Sequence, residues 1–557
     1  MKKVMIRKIL LLLIFSVHLS FELYEQGENW AVLACGSNGY MNYRHQADVF
    51  HVYQSLLKRG FSKEHIILFA YDDIAYSPRN PFPGQVFNRP DGPDVYEGVT
   101  IDYYDYNVNP GTYISVLKGD NRNGKLRKVL NSTENDNIFL YFVDHGIAGA
   151  IVFPDNKFLY ADELEETFKY MKDKKMYKNI IFYLESCYSG SMFDNINPDL
   201  NVYSVTAASP SEQSLATYCY PQDYVNGQEM HTCLSNEFTS NWLDDSDSRI
   251  FFEENQQNNN SKGEYSSHEQ FLYTKDKTKN SHVQEYGDLS VGDLPITYFQ
   301  SSKDTVINYN DNDKNNGRKK EDKKKKDKDE DEDNIDYEEI KRKIIEFDEE
   351  DIFFNSYESN ENDFDEKEYD DIPIISSGKY NLSSEHYNIM NYIINKNKYL
   401  NKNKDYKNEI NKSNKNDESL RGNSNKKKII KDTKYNLIST NVKLFYLELS
   451  ISETNDFKLY LDFRKEMEET EKSKNLFELI KKKLDIPDKI EPGQKIDYKC
   501  LRFSIQLFKN ECGIDERDLE YISLFSNECA KKSFELNKIR DSIIELCKDK
   551  KDNKLLI

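Results

Sequence analysis

Two apolar, strand-like segments of this chain each lead into a residue that can take part in nucleophilic catalysis. The segment that begins at Asn179 runs into Cys187 and then into small residues, and the segment that begins at Asn137 runs into His145 and Gly146. In open parallel sheets the ligand-binding crevice lies at the carboxyl ends of the strands, so we expect both side chains at one sheet edge. A thiol is a strong nucleophile only once it ionises, and a nearby imidazole can accept its proton. The pair predicts a cysteine hydrolase.

Apolar strands alternate with amphipathic helices from residue 28 to about 300. The predicted strands are Trp30–Gly36, Ile66–Tyr71, Ile138–His145, Asn179–Cys187 and Val202–Ala208. Helical patterns lie between them, for example at Arg44–Lys58 and Asp162–Lys172. This alternation is typical of an α/β domain with a doubly wound, mostly parallel sheet.

The rest of the chain divides into three regions of different composition. Residues 1–22, with a basic start and a short apolar stretch, predict a secretory signal peptide. Residues 301–435 are rich in Asn, Lys, Asp and Glu, which predicts a low-complexity charged linker without a core. Residues 436–557 regain helical periodicity, as at Leu476, Phe477, Ile480 and Leu484, and predict a small helical domain.

Composition narrows the choice of partners. The chain has 557 residues, 31% of them charged, and a formal net charge of −20. Nucleic-acid binding needs a basic face, so this balance argues against a nucleic-acid partner. No later apolar run is long enough for a membrane helix, and we therefore expect no stable membrane span.

Eight cysteines fall into groups with different expected roles. Cys35 lies within a predicted strand, where a small buried thiol is the simplest interpretation. Most cysteines of a secreted chain form disulfides, so we expect one between Cys219 and Cys233 and two within the carboxyl-terminal set. The four cysteines of that set could pair in three different ways. That set consists of Cys500, Cys512, Cys529 and Cys547, and it lacks the close Cys-x-x-Cys pairs of zinc sites, so we expect no metal there.

Several separate motifs, in order along the chain, resemble the legumains, a family of asparaginyl endopeptidases. They are Gly36–Asp48, Tyr71–Tyr76, Asn88–Tyr96, Asp144–Gly146, Glu185–Met192, Ser281–Val283 and Tyr286–Asp288. The order of the carboxyl-terminal cysteines is similar to that of the legumain prodomain, whereas the long linker has no counterpart. The resemblance implies a caspase-like sheet with flanking helices, a disulfide-linked helical prodomain, and catalysis without a cofactor or a metal.

The resemblance also implies roles for the residues around Cys187. Cys187 would be the nucleophile, His145 its base, and the backbone amides of Gly146 and Cys187 would bind the oxyanion. Asn42 would orient His145. From the residues alone Asn42 could equally be the N-cap of the following helix, and both roles could hold together.

The specificity pocket follows from strand geometry and from the resemblance together. Glu185 and Cys187 are two residues apart, so their side chains should face one cavity, where a carboxylate needs a partner. The resemblance supplies Arg44 as that partner, adds Ser214 as a substrate-binding residue, and places Asn236 where legumains carry Asp. We hypothesise that peptide cleavage after asparagine stays preferred, with cleavage after aspartate secondary but less penalised at neutral pH.

The remaining expectations concern regulation and a side reaction. In legumains the residue equivalent to Asp144 can form a succinimide linked to peptide ligation, although a strand-end turn residue is the simpler interpretation. Residues 436–557 would form a latency cap that binds the catalytic domain and contains the disulfides Cys500–Cys529 and Cys512–Cys547. This cap would loosen when acid protonates the carboxylates at its contact with the catalytic domain. The resemblance places the protein in the secretory pathway, in an acidic lysosome-like or vacuole-like compartment or outside the cell.

Two other functions compete with a zymogen of an asparagine-specific endopeptidase. The related catalytic subunit of the glycosylphosphatidylinositol transamidase transfers an acyl group to an amine, but a carboxyl-terminal membrane anchor would be expected for it. An inactive paralogue that acts as a binding module is the other alternative. The presence of Cys187, His145, Gly146 and Arg44 argues against that module, whereas Asn236 keeps it open.

Overall fold

The computed structural model describes residues 27–122, 124–255, 265–302, 437–438, 442–454, 457–490 and 494–551, all of which belong to one compact unit. The predicted signal peptide lies outside the described residues. So does the predicted linker, apart from its first two residues.

A six-stranded sheet forms the centre of residues 27–302, the region that the sequence predicts to be catalytic and that we call the catalytic region. Its order is β13 (Gln284–Gly287), β8 (Val202–Thr206), β7 (Asn179–Glu185), β3 (Asn137–Val143), β1 (Asn29–Cys35) and β2 (Ile66–Phe69). All neighbouring pairs are parallel except β13 with β8. The five predicted strands are the five parallel ones, which confirms the mostly parallel α/β fold.

Helices cover both faces of this sheet because its strands are apolar on both sides. On one face the core includes side chains of α1 (Tyr43–Lys58), α4 (Glu237–Asn255), α5 (Ser267–Lys277), α6 (Leu289–Gly292) and α7 (Thr297–Gln300). On the other face it includes side chains of α2 (Pro110–Leu117) and α3 (Ala161–Asp173). Alternate residues of β1 point to opposite cores, Leu33 to the first and Val32 to the second.

The described part of the chain also contains three smaller sheets. The first contains β4 (Gly146–Ile147), β5 (Ala150–Phe153) and β6 (Lys157–Tyr160). The second contains β12 (Ser235–Asn236), β9 (Leu215–Thr217) and β14 (Leu437–Ile438), and the third is the hairpin of β10 (Tyr224–Val225) with β11 (Gln228–Glu229). The pairing of β14 with β9 joins the carboxyl-terminal region directly to the catalytic region.

The carboxyl-terminal region is almost entirely helical. It contains α8 (Val442–Thr454), α9 (Phe457–Leu484), α10 (Tyr498–Cys512), α11 (Leu519–Ile522), α12 (Leu524–Cys529) and α13 (Leu536–Lys551). Leu476, Phe477, Ile480 and Leu484 are buried along one face of α9, as their spacing predicts.

Three disulfides link parts of the chain that are distant in sequence. Cys219 pairs with Cys233, Cys500 with Cys529, and Cys512 with Cys547, while Cys35 and Cys187 are free and buried. The carboxyl-terminal core also contains Ile147 and Tyr160 of the catalytic region, so the two regions share apolar packing.

Candidate active site

The register of the central sheet brings Cys187 and His145 to the same edge. Val143 of β3 pairs with Glu185 of β7 in parallel register. Cys187 and His145 each lie two residues beyond one member of this pair, so the two strands carry them past the sheet edge side by side. This is the juxtaposition that the sequence predicts for the two strand ends.

The Cys187 thiol is buried next to Ser214. Its Sγ lies 3.9 Å from the carbonyl oxygen and 4.0 Å from the hydroxyl oxygen of Ser214. Burial raises the pKa of the thiol to about 11, although the contacts with Ser214 oppose this shift. A thiol in this closed arrangement is therefore mostly protonated at neutral pH and needs a base to become nucleophilic.

The hydrogen bonds of His145 determine which ring nitrogen can act as that base. Nε2 lies 3.0 Å from Oδ1 of Asn42. Nη1 of Arg44 also donates to Oδ1 of Asn42, which confirms that this atom is an amide oxygen and an acceptor. Nε2 of His145 must therefore carry the hydrogen of the bond to Asn42. Nδ1 is buried and has no hydrogen-bond partner in the described part of the chain. The ring thus keeps a free lone pair at Nδ1 for a proton from a thiol.

Asn42 occupies the N-cap position of α1, but its side chain makes no capping hydrogen bond. Its amide nitrogen donates instead to the Asn38 carbonyl at 3.2 Å, and its oxygen faces His145. Of the two roles considered for this residue, its side-chain contacts correspond to the orientation of the imidazole.

Gly146 is in close contact with the backbone of Cys187. A Cβ atom at this position would lie 2.3 Å from the Cys187 carbonyl oxygen and 2.8 Å from Oγ of Ser186. These distances are far below van der Waals contact, so the turn after His145 can pass beside Cys187 only without a side chain.

Arg44 and Asn236 lie together, fully buried, beside the catalytic pair. Nε of Arg44 donates to Oδ1 of Asn236 at 3.2 Å, and Nη1 donates to the Met41 carbonyl at 2.9 Å. Burial lowers the pKa of the guanidinium, while the surrounding carboxylates, Glu516 first among them, oppose that effect. The adjacent backbone of β12 and β9 holds Asn236 in place.

Glu185 is buried near the same cavity, but its described partner is Thr239 rather than the expected Arg44. Oε2 of Glu185 accepts hydrogen bonds from the backbone nitrogen and the hydroxyl of Thr239, both at 3.1 Å. Burial, reinforced by the charge of Asp48, raises the pKa of Glu185 to about 8, while the contacts with Thr239 and Ser214 lower it. The first turn of α4 thus supplies the donors that a guanidinium was expected to supply.

Asp144 directly precedes His145, and its Oδ1 lies 3.4 Å from Nδ1 of His45. Burial raises the pKa of Asp144 to about 7. In the described ranges, His45, Asp144 and His145 form a group with metal-ligand atoms within 4.8 Å of one another. Ser37 already contacts Nδ1 of His45, and Asn42 contacts Nε2 of His145, so we assign no metal to this group.

A carboxylate of the carboxyl-terminal region reaches into the site. Oε1 of Glu516, in the 3-10 turn Glu516–Asp518, lies 3.0 Å from Nε2 of His145, and Oε2 accepts from the Asn42 amide at 3.4 Å. Although burial would raise its pKa, the charge that His145 carries when protonated, the charge of Arg44 and the hydrogen bonds lower the pKa of Glu516 to about 2. The carboxylate therefore stays ionised at pH 4 to 5, so acid does not break this contact in the expected way.

Further contacts hold the carboxyl-terminal region over this edge. The backbone of Ala148 donates to Oγ of Ser523 at 3.1 Å and accepts from Oγ of Ser526 at 2.6 Å. Farther along the chain, the Tyr446 hydroxyl donates to Asp223 at 3.0 Å and accepts from the backbone nitrogen of Tyr220. These contacts and that of Glu516 join the carboxyl-terminal region to residues 27–302.

Sequence reasoning missed three residues of this site. Asp48 follows Arg44 by one helical turn, a spacing that places both on one face of α1 and could have indicated it. Thr239 and Glu516 carry no such local signal, because each reaches the site through packing of a distant element.

Comparisons with known proteins agree with this geometry. Residues 29–302 match the model of the Peptidase C13 family. A hemoglobinase of Schistosoma japonicum is 42% identical over 285 residues, which are 51% of this chain and 63% of that protein. A legumain of Bos taurus is 42% identical over 280 residues, which are 50% of this chain and 60% of that protein. A legumain of Canavalia ensiformis is 38% identical over 295 residues, which are 51% of this chain and 60% of that protein.

The matches cover less than two thirds of the length of these relatives. Within the matched region the similarity spans every strand of the central sheet and the residues at its catalytic edge. Residues 29–302, the part of the chain that contains the central sheet and its edge with Cys187 and His145, are therefore similar to the Peptidase C13 family.

Proposed function

We propose that the protein is a cysteine endopeptidase that hydrolyses peptide bonds after asparagine and is synthesised as a latent zymogen. The observation that carries this proposal is the hydrogen bond between His145 and Asn42, which leaves Nδ1 of the imidazole free at the strand edge that also carries Cys187. Such an arrangement supports proton transfer from the thiol.

The reaction assigns a separate step to each group. His145 takes the thiol proton, and the Cys187 thiolate attacks the peptide carbonyl to form a tetrahedral oxyanion that the amides of Gly146 and Cys187 stabilise. The oxyanion collapses to a thioester, and the amine leaves with the proton held by His145. Water, deprotonated by His145, then hydrolyses the thioester and returns the thiol.

Substrate selection is assigned to the buried polar cavity beside this pair. Arg44, Glu185, Ser214 and Asn236 together offer donors and acceptors that suit a carboxamide side chain. Because residue 236 is a neutral amide, it adds no charge that would repel a substrate aspartate. Cleavage after asparagine is preferred, and cleavage after aspartate extends to neutral pH.

The carboxyl-terminal region acts as the latency cap in this proposal. Glu516 occupies the hydrogen-bonding position next to His145, and β14 pairs with β9, the strand that follows Ser214. Both contacts would block an extended substrate, so removal of residues 436–557 is the activating step. The secretory pathway, ending in an acidic compartment or outside the cell, suits three disulfides.

The alternatives differ in what they require. The hydrogen-bonded His145 and the free Cys187 favour an active enzyme over an inactive binding module. Among the described helices, none combines the length and apolar character needed to cross a membrane.

A peptide-ligase side activity has one observation in its favour. The backbone N–H of His145 lowers the pKa of Asp144 against the effect of burial, and its nitrogen is the one that would attack the carboxyl carbon and expel water to form a succinimide. Intact-mass measurement of the trimmed enzyme tests this step, since the ring lowers the mass by one water. An unchanged mass in a preparation that still ligates peptides would separate ligation from the succinimide.

The main test uses the chain without residues 1–22. It is incubated at pH 4 to 5 beside Cys187→Ala, and self-processing and cleavage of a fluorogenic Ala-Ala-Asn peptide are followed together. Cleavage that appears with loss of the carboxyl-terminal region and is absent in the variant supports the proposal. Failure of a folded, trimmed protein to cleave the peptide would contradict it and favour a transferase or a binding module.

Peptides that differ only in Asn or Asp before the scissile bond test the pocket. We expect measurable Asp cleavage at pH 7 and its decrease in Asn236→Asp. Asp cleavage confined to acid pH in both proteins would contradict the role given to Asn236.

A further inference from the structure

A buried carboxylate lies directly behind the proposed specificity pocket. Asp48 is fully buried on α1, one helical turn after Arg44. Its Oδ1 accepts hydrogen bonds from Oγ of Ser235 at 2.6 Å and from Nδ2 of Asn88 at 2.7 Å. These two donors fix the orientation of the carboxylate and leave Oδ2 for another partner.

That partner is Asn236. Oδ2 of Asp48 accepts from Nδ2 of Asn236 at 2.7 Å and from its backbone nitrogen at 3.3 Å. On the opposite side of the same amide, Oδ1 of Asn236 accepts from Nε of Arg44 at 3.2 Å. Burial raises the pKa of Asp48 to about 6, so at pH 7 the group is a carboxylate and only accepts. A guanidinium only donates, so only one orientation of the amide satisfies both neighbours.

We propose that Asp48 is a positioning residue for specificity, which fixes the Asn236 amide with its oxygen toward Arg44 and thereby holds the guanidinium in the pocket. This inference rests on the proposed function, because it concerns the pocket assigned there. Asp48 itself does not contact the substrate and acts through Asn236.

The substitution Asp48→Asn gives the clearest expectation. The oxygen of the new amide is held by Ser235 and Asn88, so its NH₂ group faces the NH₂ group of Asn236. Asn236 must then rotate, which turns a donor toward Nε of Arg44 and removes the acceptor of Nε, while Nη1 keeps the Met41 carbonyl. We expect KM for the Asn peptide to rise about ten-fold or more in the trimmed enzyme, with a smaller change in kcat.

The exchange Asp48→Asn with Asn236→Asp restores the pattern of donors and acceptors. Nδ2 of residue 48 then donates to the new carboxylate, whose other oxygen accepts from Arg44. We expect kcat/KM for the Asn peptide to return to within about three-fold of the unmodified enzyme. Glu166→Gln, an exposed carboxylate on α3, is the control for loss of a charge far from the pocket.

The test compares KM and kcat of four proteins: the unmodified chain, the two single variants and the double variant. A folded Asp48→Asn enzyme with unchanged KM, or a double variant no more active than the single ones, would overturn the inference. If Asp48→Asn does not fold, the double variant is compared with Asn236→Asp, in which two carboxylates face each other. The inference then requires the double variant to be the more active.

Unfolding midpoints of the same four proteins separate this inference from the proposed function, because they need no substrate. Strong coupling between positions 48 and 236, with the double variant more stable than Asn236→Asp, supports the pairing even if no peptide is cleaved. If the effects of the two substitutions on the unfolding midpoint simply add, the pairing is contradicted. This result would stand even if the unmodified protein cleaves the peptide normally.

Discussion

Oε1 of Glu516 lies 3.0 Å from Nε2 of His145, the ring nitrogen that also contacts Asn42. The carboxyl-terminal region thus contacts the proposed base through a charge. Because the pKa of Glu516 is lowered to about 2, any stability from this contact is complete above its ordinary value of 4.5 and is lost only as pH falls toward 2. Acidification to pH 4 to 5 leaves the contact intact, so we expect activation to depend on cleavage of the chain.

Glu516→Gln should loosen the closed state of the uncleaved chain. The amide loses the charge that attracts His145, and charge-assisted hydrogen bonds are stronger than neutral ones. Because Glu516 is partly exposed, solvent screening limits the effect, and we expect alkylation of Cys187 to become about five- to ten-fold faster at pH 7. Peptide mapping after iodoacetamide treatment measures the rate, with the exposed Glu535→Gln as control. Equal rates in all three proteins would show that Glu516 does not contribute to closure.

Asn42→Ser should separate catalysis from helix capping. Serine is a good N-cap, so the stability of α1 should be retained or improved, whereas His145 loses the acceptor that holds its Nε2. We expect kcat/KM of the trimmed enzyme to fall about 10- to 100-fold with little change in Tm. Asn109→Ser is the matched control, because Asn109 does cap α2 through the Thr112 nitrogen. Activity of Asn42→Ser within about three-fold of the unmodified enzyme, at unchanged Tm, would contradict the orienting role.

Gly146→Ala should disrupt the proposed oxyanion site. The added Cβ would meet the Cys187 carbonyl oxygen at 2.3 Å, so the backbone on one side must move. Loss of one oxyanion donor typically lowers kcat by about 10²- to 10³-fold, and we expect a decrease of that order. Gly111→Ala is the control, since its nearest contact is the flexible end of Arg122 at 3.3 Å. Activity of Gly146→Ala within three-fold of the unmodified enzyme would be incompatible with this assignment.

Glu185 should make the protein less stable as pH rises. Its pKa is raised from 4.5 to about 8, so the folded state resists its ionisation. The free energy of unfolding should therefore be highest below pH 4.5 and fall until about pH 8, with Asp144 and Asp223, both raised to about 7, acting in the same direction.

Glu185→Gln should reduce this pH dependence by up to about 4 kcal/mol, because one pKa unit corresponds to roughly 1.4 kcal/mol. Urea unfolding of Cys187→Ala with and without this substitution, at pH 5 to 8, measures the difference without self-cleavage. The exposed Glu166→Gln is the control. Parallel pH curves for Glu185→Gln and the control would contradict a buried, titrating Glu185.

The sequence by itself determined the sheet and the two residues at its edge. Apolar runs long enough for buried strands ended at His145 and Cys187, and strand alternation was sufficient to place Glu185 near the thiol. The helix face with Leu476 and Ile480 also followed from spacing alone, because burial of one face is a local pattern.

Only the tertiary structure decided which groups satisfy the buried charges. The sequence expectation joined Glu185 to Arg44, whereas packing of α4 brings Thr239 to Glu185 and the β12 backbone brings Asn236 between Arg44 and Asp48. It also decided that Glu516 reaches His145. Hydrogen-bond partners of buried polar groups depend on atomic distances between segments remote in the chain, and no local periodicity encodes those distances.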